Sequence, residues 1–341
     1  ALRARSKAVS RKEHAYGNQH CNKLGYFFTR RSPCSISAGF TFYSALDAAS
    51  LLVSAWAEEA VSSEEAFSCS AAVLSADSDA AAEGIMTTDT TKKEIAVEFE
   101  LDGKTCRIGG IAKGSGMIHP DMATMLVFIT PDCAISSEML RKALSSDIKD
   151  TFNMVSVDGD TSTNDMVTVL ANGMAGNIEI NSEGDAFNIF MKALNTVTVY
   201  LCRAIAGDGE GATKLLECKV HGAAASETAK TVAKSVICSS LTKAAMFGAD
   251  ANWGRVLCAI GYSKANVDVS KIDVAFTSAA GTVAVCKNGA GITFSEELAK
   301  TILTEGEITI DINLNSGSYS STAWGCDLTY DYVKINGDYR T

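Results

Sequence analysis

Residues 94–130 read EIAVEFELDGKTCRIGGIAKGSGMIHPDMATMLVFIT. Ile95, Val97, Phe99 and Leu101 fall on one face of an extended chain, the period of a half-buried strand. Asp102-Gly103 supplies a two-residue hairpin turn, and Lys104–Ile108 returns along the first strand. A glycine-rich loop, 109–120, follows. Thr124–Thr130 is then a short, nearly continuous apolar run, the pattern of a buried strand, and Pro131-Asp132 ends it.

Outward from this stretch, Ser137–Phe152 carries Leu140, Leu144 and Ile148 at helical spacing. Met154–Val157 reads as a strand leading into the polar run DGDTSTND, 158–165. Ala186–Ala206 predicts a long helix with Phe190, Leu194, Val197, Leu201 and Ile205 in register. The turn DGEGATK, 208–214, precedes a strand over Leu215–Val220. Ala229–Ile237 and Asn252–Ile260 read as helices, Ile308–Leu314 as a strand, and Leu328–Ile335 as a final strand. Loosely alternating strands and helices with hairpins predict a mixed α/β fold with partly antiparallel sheets.

The 341 residues suffice for a sizeable core, with 47% hydrophobic and 21% charged residues. A net charge of −10 argues against nucleic acid or an anionic membrane as partner. The charge is uneven: residues 1–45 hold eight Lys/Arg and one acid, a net of +7, which leaves −17 for the rest. Such an acid-poor, Arg-containing start predicts an organellar transit peptide, or else a start foreign to the domain. The expected location is an organelle matrix in the first case and a bacterial cytoplasm in the second. Eleven scattered cysteines without a C-x-x-C pair favour a reducing compartment. No run approaches the ~18 apolar residues of a membrane span, and Phe42–Val61 reads as an ordinary amphipathic helix.

Several attractive motifs fail. A phosphate loop needs Gly-Lys-Ser/Thr, and here Lys113 precedes Gly114. DGDTSTND opens like a calcium loop but has Thr163 and Val169 where glycine and glutamate belong. Four dispersed histidines suggest no metal site. What remains is a lysine-bearing glycine loop running into Met-Ala-Thr at the mouth of a buried strand. A threonine there is usually only a strand residue. Yet the glycines permit close backbone approach, and small Ala123 leaves the carbonyl before Thr124 open to attack. Cleavage before Thr124 would free an α-amine of pKa about 7.7–8, able to take the threonine's own hydroxyl proton near neutral pH.

At this point IMTTDT (85–90), GGIAKGSGMIHPDMATML (109–126), VDGDTSTND (157–165), DGEGATK (208–214), FGADANWGRV (247–256) and WGCDLTYDYVKINGDYRT (324–341) together resemble the glutamate N-acetyltransferase family. The resemblance runs over about 68–341. It implies an αββα-like sandwich and self-cleavage into an α and a β chain. It also implies ping-pong transfer of acetyl from N2-acetylornithine to glutamate in arginine biosynthesis. Many members take acetyl from acetyl-CoA as well, as a co-substrate; no resident cofactor or metal is implied. Thr124 matches the family's nucleophile and Ala123–Thr124 its cleavage bond. Thr90 matches a substrate-binding threonine, and Lys113 the loop lysine, an anchor suited to an α-carboxylate. Glu210 matches the acid that receives the ornithine side-chain cation, and Asn336 and Thr341 match C-terminal substrate residues.

The implied organisation is an atypical N-terminal segment, 1–66, then the remainder of the α chain, 67–123. The β chain, 124–341, forms one catalytic domain with 67–123, and pairs assemble as a heterotetramer of two α and two β chains. Residues 1–66 do not resemble the family's corresponding region, and the Thr-Gly pair that forms its oxyanion hole occurs nowhere in this chain. The oxyanion residues are therefore unassigned. A self-processing aminopeptidase or amidase, and an inactive relative, stay open as alternatives.

Overall fold

The computed structural model describes residues 26–27, 76–119, 125–162 and 164–338. In chain order the elements are β1 (Tyr26–Phe27), α1 (Ala76–Gly84), β2 (Lys93–Leu101), β3 (Lys104–Lys113), β4 (Leu126–Pro131), α2 (Ser137–Asp147), β5 (Val155–Ser156), β6 (Met166–Val169) and α3 (Asp185–Gly207). There follow β7 (Leu215–Ala223), α4 (Ser226–Cys238), α5 (Ser240–Phe247), α6 (Trp253–Tyr262), β8 (Asp273–Ser278), β9 (Gly281–Lys287), β10 (Ala290–Gly291), α7 (Glu296–Thr304), β11 (Glu307–Asn313), β12 (Tyr319–Cys326) and α8 (Tyr330–Asp338). The expected helix over Phe42–Val61 lies outside the described residues, as does nearly all of the 1–66 segment.

Two mixed sheets form, in strand orders β1-β6-β4-β3-β2 and β10-β9-β8-β11-β7-β12-β5. The hairpin of β2 and β3 turns at Asp102 and Gly103, whose φ values of 52° and 70° are the left-handed pair that a tight hairpin turn requires. Helix α3 packs against both sheets, touching β2 and β3 on one side and β7 and β12 on the other. Phe190, Leu194, Val197, Leu201 and Ile205 are all fully buried, each contributing about 1.5–3 kcal/mol of apolar burial. Gly110 of β3 allows the close approach, because a Cβ there would stand 3.1 Å from both Val197 and Leu201. Helix α3 is long and apolar enough to cross a membrane, but its contacts with both sheets make it a core helix. The outer face of the first sheet, through Ala96, Ile111 and Phe128, is covered by α1 at Ala82. Helix α4 packs on the outer face of the second, against β7 and β12.

The structure departs from the sequence reading in three places. Gly109–Lys113, read as loop, continues β3 between β2 and β4; the hydrogen-bonded neighbours on both sides outweigh the low strand propensity of glycine. The helix that starts at Ser137 stops at Asp147, before the expected Phe152. Leu328–Ile335 is no strand, since Tyr330–Asp338 is helix. Thr329 caps it by accepting the Tyr332 N–H at 3.3 Å, and Asp331 favours the positive end of the helix dipole. Tyr330 and Val333 are exposed, so these strand-favouring residues have no sheet face to fill.

Candidate active site

Three loops meet at the end of β3. The first, Thr87–Thr91, leads into β2. In it Asp89 accepts the N–H of Gly114 at 2.7 Å and that of Thr87 at 3.1 Å. The second loop, Asp208–Gly211, leaves the end of α3. The Asp208 carboxylate accepts from the backbone N–H of Thr90 at 3.0 Å and from the Thr90 hydroxyl. The Asp208 carbonyl accepts from Ser115 Oγ at 2.7 Å, and the Glu210 N–H donates to the Ser115 carbonyl at 3.0 Å. The third loop, 114–118, is held by Asp158, which accepts the N–H groups of Met117 at 2.7 Å and Ile118 at 3.1 Å. The acidic run that resembles a calcium loop thus spends its first carboxylate on backbone donors.

Lys93 ties two of these loops together. It is 1% exposed, yet sits in phase with Ile95 and Val97 on the apolar face of β2. Its ammonium lies 2.7 Å from Asp89 and 2.5 Å from Asp208. Burial pushes the Asp89 carboxyl up, but the hydrogen bonds from Lys93 and Gly114 outweigh it and hold the group below the ordinary aspartate value.

The structure brings Thr90, Lys113, Glu210 and Asn336 to this one place. Lys113 ends β3, with Nζ donating to Thr87 Oγ1 at 3.2 Å; burial lowers its pKa, against the pull of Asp89 and Asp165. Glu210 lies against Gly116, where a Cβ would meet its carboxylate at 2.4 Å, so any larger residue there would displace the Glu210 carboxylate. Asn336 of α8 reaches back across the site, its Nδ2 donating to Glu210 Oε2 at 2.8 Å. Gly211, with φ 67°, lets the turn pass beneath α8, because a Cβ there would lie 2.7 Å from the Tyr332 nitrogen. Thr124, Ala123 and Thr341 lie outside the described residues. The residue after the threonine, Met125, is buried, and its N–H donates to Asp165 Oδ1 at 2.7 Å. Lys214, at the end of the DGEGATK run, caps helix ends instead, donating to the Met246 and Leu303 carbonyls at 2.6 and 2.7 Å.

The motifs do not single out Asp89, Lys93, Asp158, Asp165 or Asp208 as site residues. Only Lys93 carried a readable signal, a lysine on the inward face of an alternating strand, which demands a buried counter-charge. The other four sit inside quoted motifs but are indistinguishable there from solvated loop acids.

Asp165 has a measurable consequence for stability. Burial pushes its carboxyl from 3.8 to about 7, against the Met125 N–H and the charge of Lys113. The folded value lies above the unfolded one, so this group favours folding fully below about pH 4 and loses that contribution as pH rises through about 7. In a Thr124→Ala background, Asp165→Asn is therefore expected to stabilise the protein at pH 8 by on the order of 2–4 kcal/mol. The gain should vanish near pH 4. Urea unfolding at the two pH values measures it, and equal differences at both would contradict the assignment.

A family model described as the ArgJ family matches residues 52–341, which begins earlier than the quoted motifs. The arginine biosynthesis bifunctional protein ArgJ 1 of Clostridium acetobutylicum is 55% identical over 278 residues, covering 82% of this chain and 67% of that protein. The ArgJ of Caldanaerobacter subterraneus subsp. tengcongensis is 52% identical, covering 76% of this chain and 65% of its own length. A crystal structure of arginine biosynthesis bifunctional protein argJ from Bacillus halodurans has the same α/β fold, with a TM-score of 0.60 at 47% identity, over 62% of this chain and 98% of that one. The chain spans about two thirds of the length of the curated relatives it matches.

Proposed function

The chain belongs to the ArgJ family, and from that premise we propose that it transfers an acetyl group from N2-acetylornithine to glutamate in arginine biosynthesis. It does so through an acetyl ester on Thr124, after breaking its own backbone between Ala123 and Thr124. The observation that carries this reading is the convergence of Thr90, Lys113, Glu210 and Asn336 at the glycine turn that leads towards Met125, from segments up to 246 positions apart.

The chemistry follows from the residues. The α-amine of Thr124 takes the proton of its own hydroxyl, and the oxygen attacks the acetyl carbonyl of the donor. Ornithine leaves with that proton on its nitrogen, and glutamate's amine then attacks the ester. Donor and acceptor both carry an α-carboxylate, so Lys113 can anchor each in turn. Only the donor carries a distal ammonium, which Glu210 receives beside Asn336. Incubation with N2-acetylornithine alone should add one acetyl mass to the fragment beginning at Thr124, and glutamate should then remove it. An active enzyme that never gains this mass would refute the carrier mechanism. Acetyl-CoA as a second donor is part of the proposal and is tested by the same mass gain.

Glu210→Gln separates the two substrates. Glu210 is half-buried, so the loss is set at the low end of a broken charged pair, about 2 kcal/mol, or roughly thirtyfold in KM for acetylornithine. KM for glutamate should change little, and equal changes in both would remove the assignment. The proposal extends to assembly as two α and two β chains, which a native mass measurement tests. For location it sets an organelle matrix, from the basic start, against the cytoplasm of the bacterial relatives' hosts; cell fractionation decides.

A further inference from the structure

The Thr90 hydroxyl has its proton already committed. Asp208 follows the last turn of α3, where its N–H donates to the Ala204 carbonyl at 3.1 Å, and its side chain is 8% exposed. Oδ2 of its carboxylate accepts from Lys93 Nζ at 2.5 Å and from the N–H groups of Thr90 and Thr91 at 3.0 and 3.3 Å. Oδ1 accepts from the Thr90 hydroxyl. A carboxylate paired with an ammonium is an acceptor only, so this bond takes the one proton that the hydroxyl has. Charge-assisted bonds of this kind are about twice as strong as neutral ones. The proton is therefore not on offer to a ligand, and what the Thr90 oxygen retains is its capacity to accept. Asp208, Asp89 and Lys93 are buried behind it, whereas Thr90 is exposed.

We infer that Asp208 is a positioning residue that fixes Thr90 as a hydrogen-bond acceptor, so that Thr90 receives the α N–H of the substrate and not its carboxylate. The inference rests on the proposed transfer of acetyl from N2-acetylornithine to glutamate. The polar groups of that donor are its α-carboxylate, its amide N–H, its acetyl carbonyl and its distal ammonium. The carboxylate and the carbonyl accept hydrogen bonds and gain nothing from an oxygen with no proton to give. In the proposed arrangement Glu210 takes the ammonium and Lys113 the carboxylate. The amide N–H is the donor that is left, and glutamate presents its α-amine in the same place. Thr90 thus holds the nitrogen that leaves in the first half-reaction and attacks in the second. An acceptor there also selects nitrogen over oxygen at the α position, because an ester analogue has no N–H and sets lone pair against lone pair.

Asp208→Asn reverses the polarity. Lys93 keeps the amide oxygen on its own side, which turns the amide N–H groups towards Thr90 Oγ1 and frees the Thr90 proton for the ligand. Lys93 retains Asp89 at 2.7 Å. Thr90→Val removes the hydroxyl, while Asp208 keeps Lys93 and the two backbone N–H groups. The kcat/KM of wild type, of each variant and of the double variant is measured with N2-acetylornithine and with its ester analogue, 2-acetoxy-5-aminopentanoate. The intrinsic reactivity of the ester cancels when a variant is compared with wild type on one substrate. Thr90→Val is expected to lower the value for the amide about tenfold, the loss of one hydrogen bond, and that for the ester less than about twofold. Asp208→Asn should lower the amide at least as much, spare the ester, and add nothing in the Thr90→Val background. Equal losses on both substrates from Thr90→Val would mean that Thr90 meets a group common to both, such as the carboxylate, and would overturn the inference. A loss from Asp208→Asn that persists in the Thr90→Val background would be structural and would overturn it too. Both results leave the proposed function standing. Should Asp208→Asn not fold, Thr90→Val on the two substrates decides, since acceptance by Thr90 is what Asp208 imposes. A wild type that takes no acetyl from N2-acetylornithine removes the proposed function and this inference with it.

Discussion

Thr124→Ala is expected to run as one band on a denaturing gel where the wild type runs as two, with acetyl transfer reduced by at least about 10³-fold. In the proposed mechanism the backbone break needs the threonine hydroxyl to attack the Ala123 carbonyl, and alanine offers no oxygen. The transfer needs the same hydroxyl to carry the acetyl group. One atom thus serves both steps, so both fail together. The fold should survive, because the hydrogen bonds that hold the neighbouring residue, from the Met125 N–H to Asp165 and from the Met166 N–H to the Met125 carbonyl, use no side-chain atom of residue 124. Two bands from the variant would assign the break to a contaminating protease and withdraw Thr124 as its agent. Thr124→Ser should retain both activities, since it keeps the hydroxyl.

Lys93→Met is expected to destabilise the protein by about 3–5 kcal/mol, the cost of stranding buried charges without their partner. The methionine fills the apolar stem's volume, so packing loss is small. What remains is Asp89 and Asp208, both largely buried, with a common cation removed. The pH dependence identifies the cause. The folded pKa of Asp89 lies below its unfolded value, so its contribution is present above about pH 3.8 and is lost as pH falls through the folded value. The gap between wild type and variant should therefore be widest near neutral pH and close in acid. Chemical denaturation at several pH values measures it. A gap that does not change with pH would mean that packing, not charge, is what Lys93 supplies. Lys93→Met combined with Asp89→Asn should cost less than the sum of the single changes, because the two share one interaction.

The extent to which these effects were legible beforehand differs by residue. The β2–β3 hairpin was readable because its alternation and its Asp-Gly turn are properties of consecutive residues. The buried face of α3 was readable for the same reason, and all five residues expected on it are fully buried. The six motifs proposed site residues in chain order, and the segments that carry Thr90, Lys113, Glu210 and Asn336 are linked by hydrogen bonds: Thr90 to Asp208, Lys113 to Thr87 and Asn336 to Glu210. The final segment was not legible. LTYDYVKI has the aromatic and β-branched content of a strand, but the Thr329 cap starts a helix there.

By itself, then, the sequence determined the local elements, the mixed α/β class and the set of chemically capable side chains, because periodicity, turn chemistry and motif order are written in neighbouring residues. Only the tertiary structure decided which charges meet. Lys93 finds one partner four residues away and another 115 away, and Met125 finds Asp165 40 residues on. A buried charge is tolerable only where its counter-charge or donor is in place. That pairing is set by how β2, β4 and the end of α3 come together around one glycine turn, and no stretch of neighbouring residues records it.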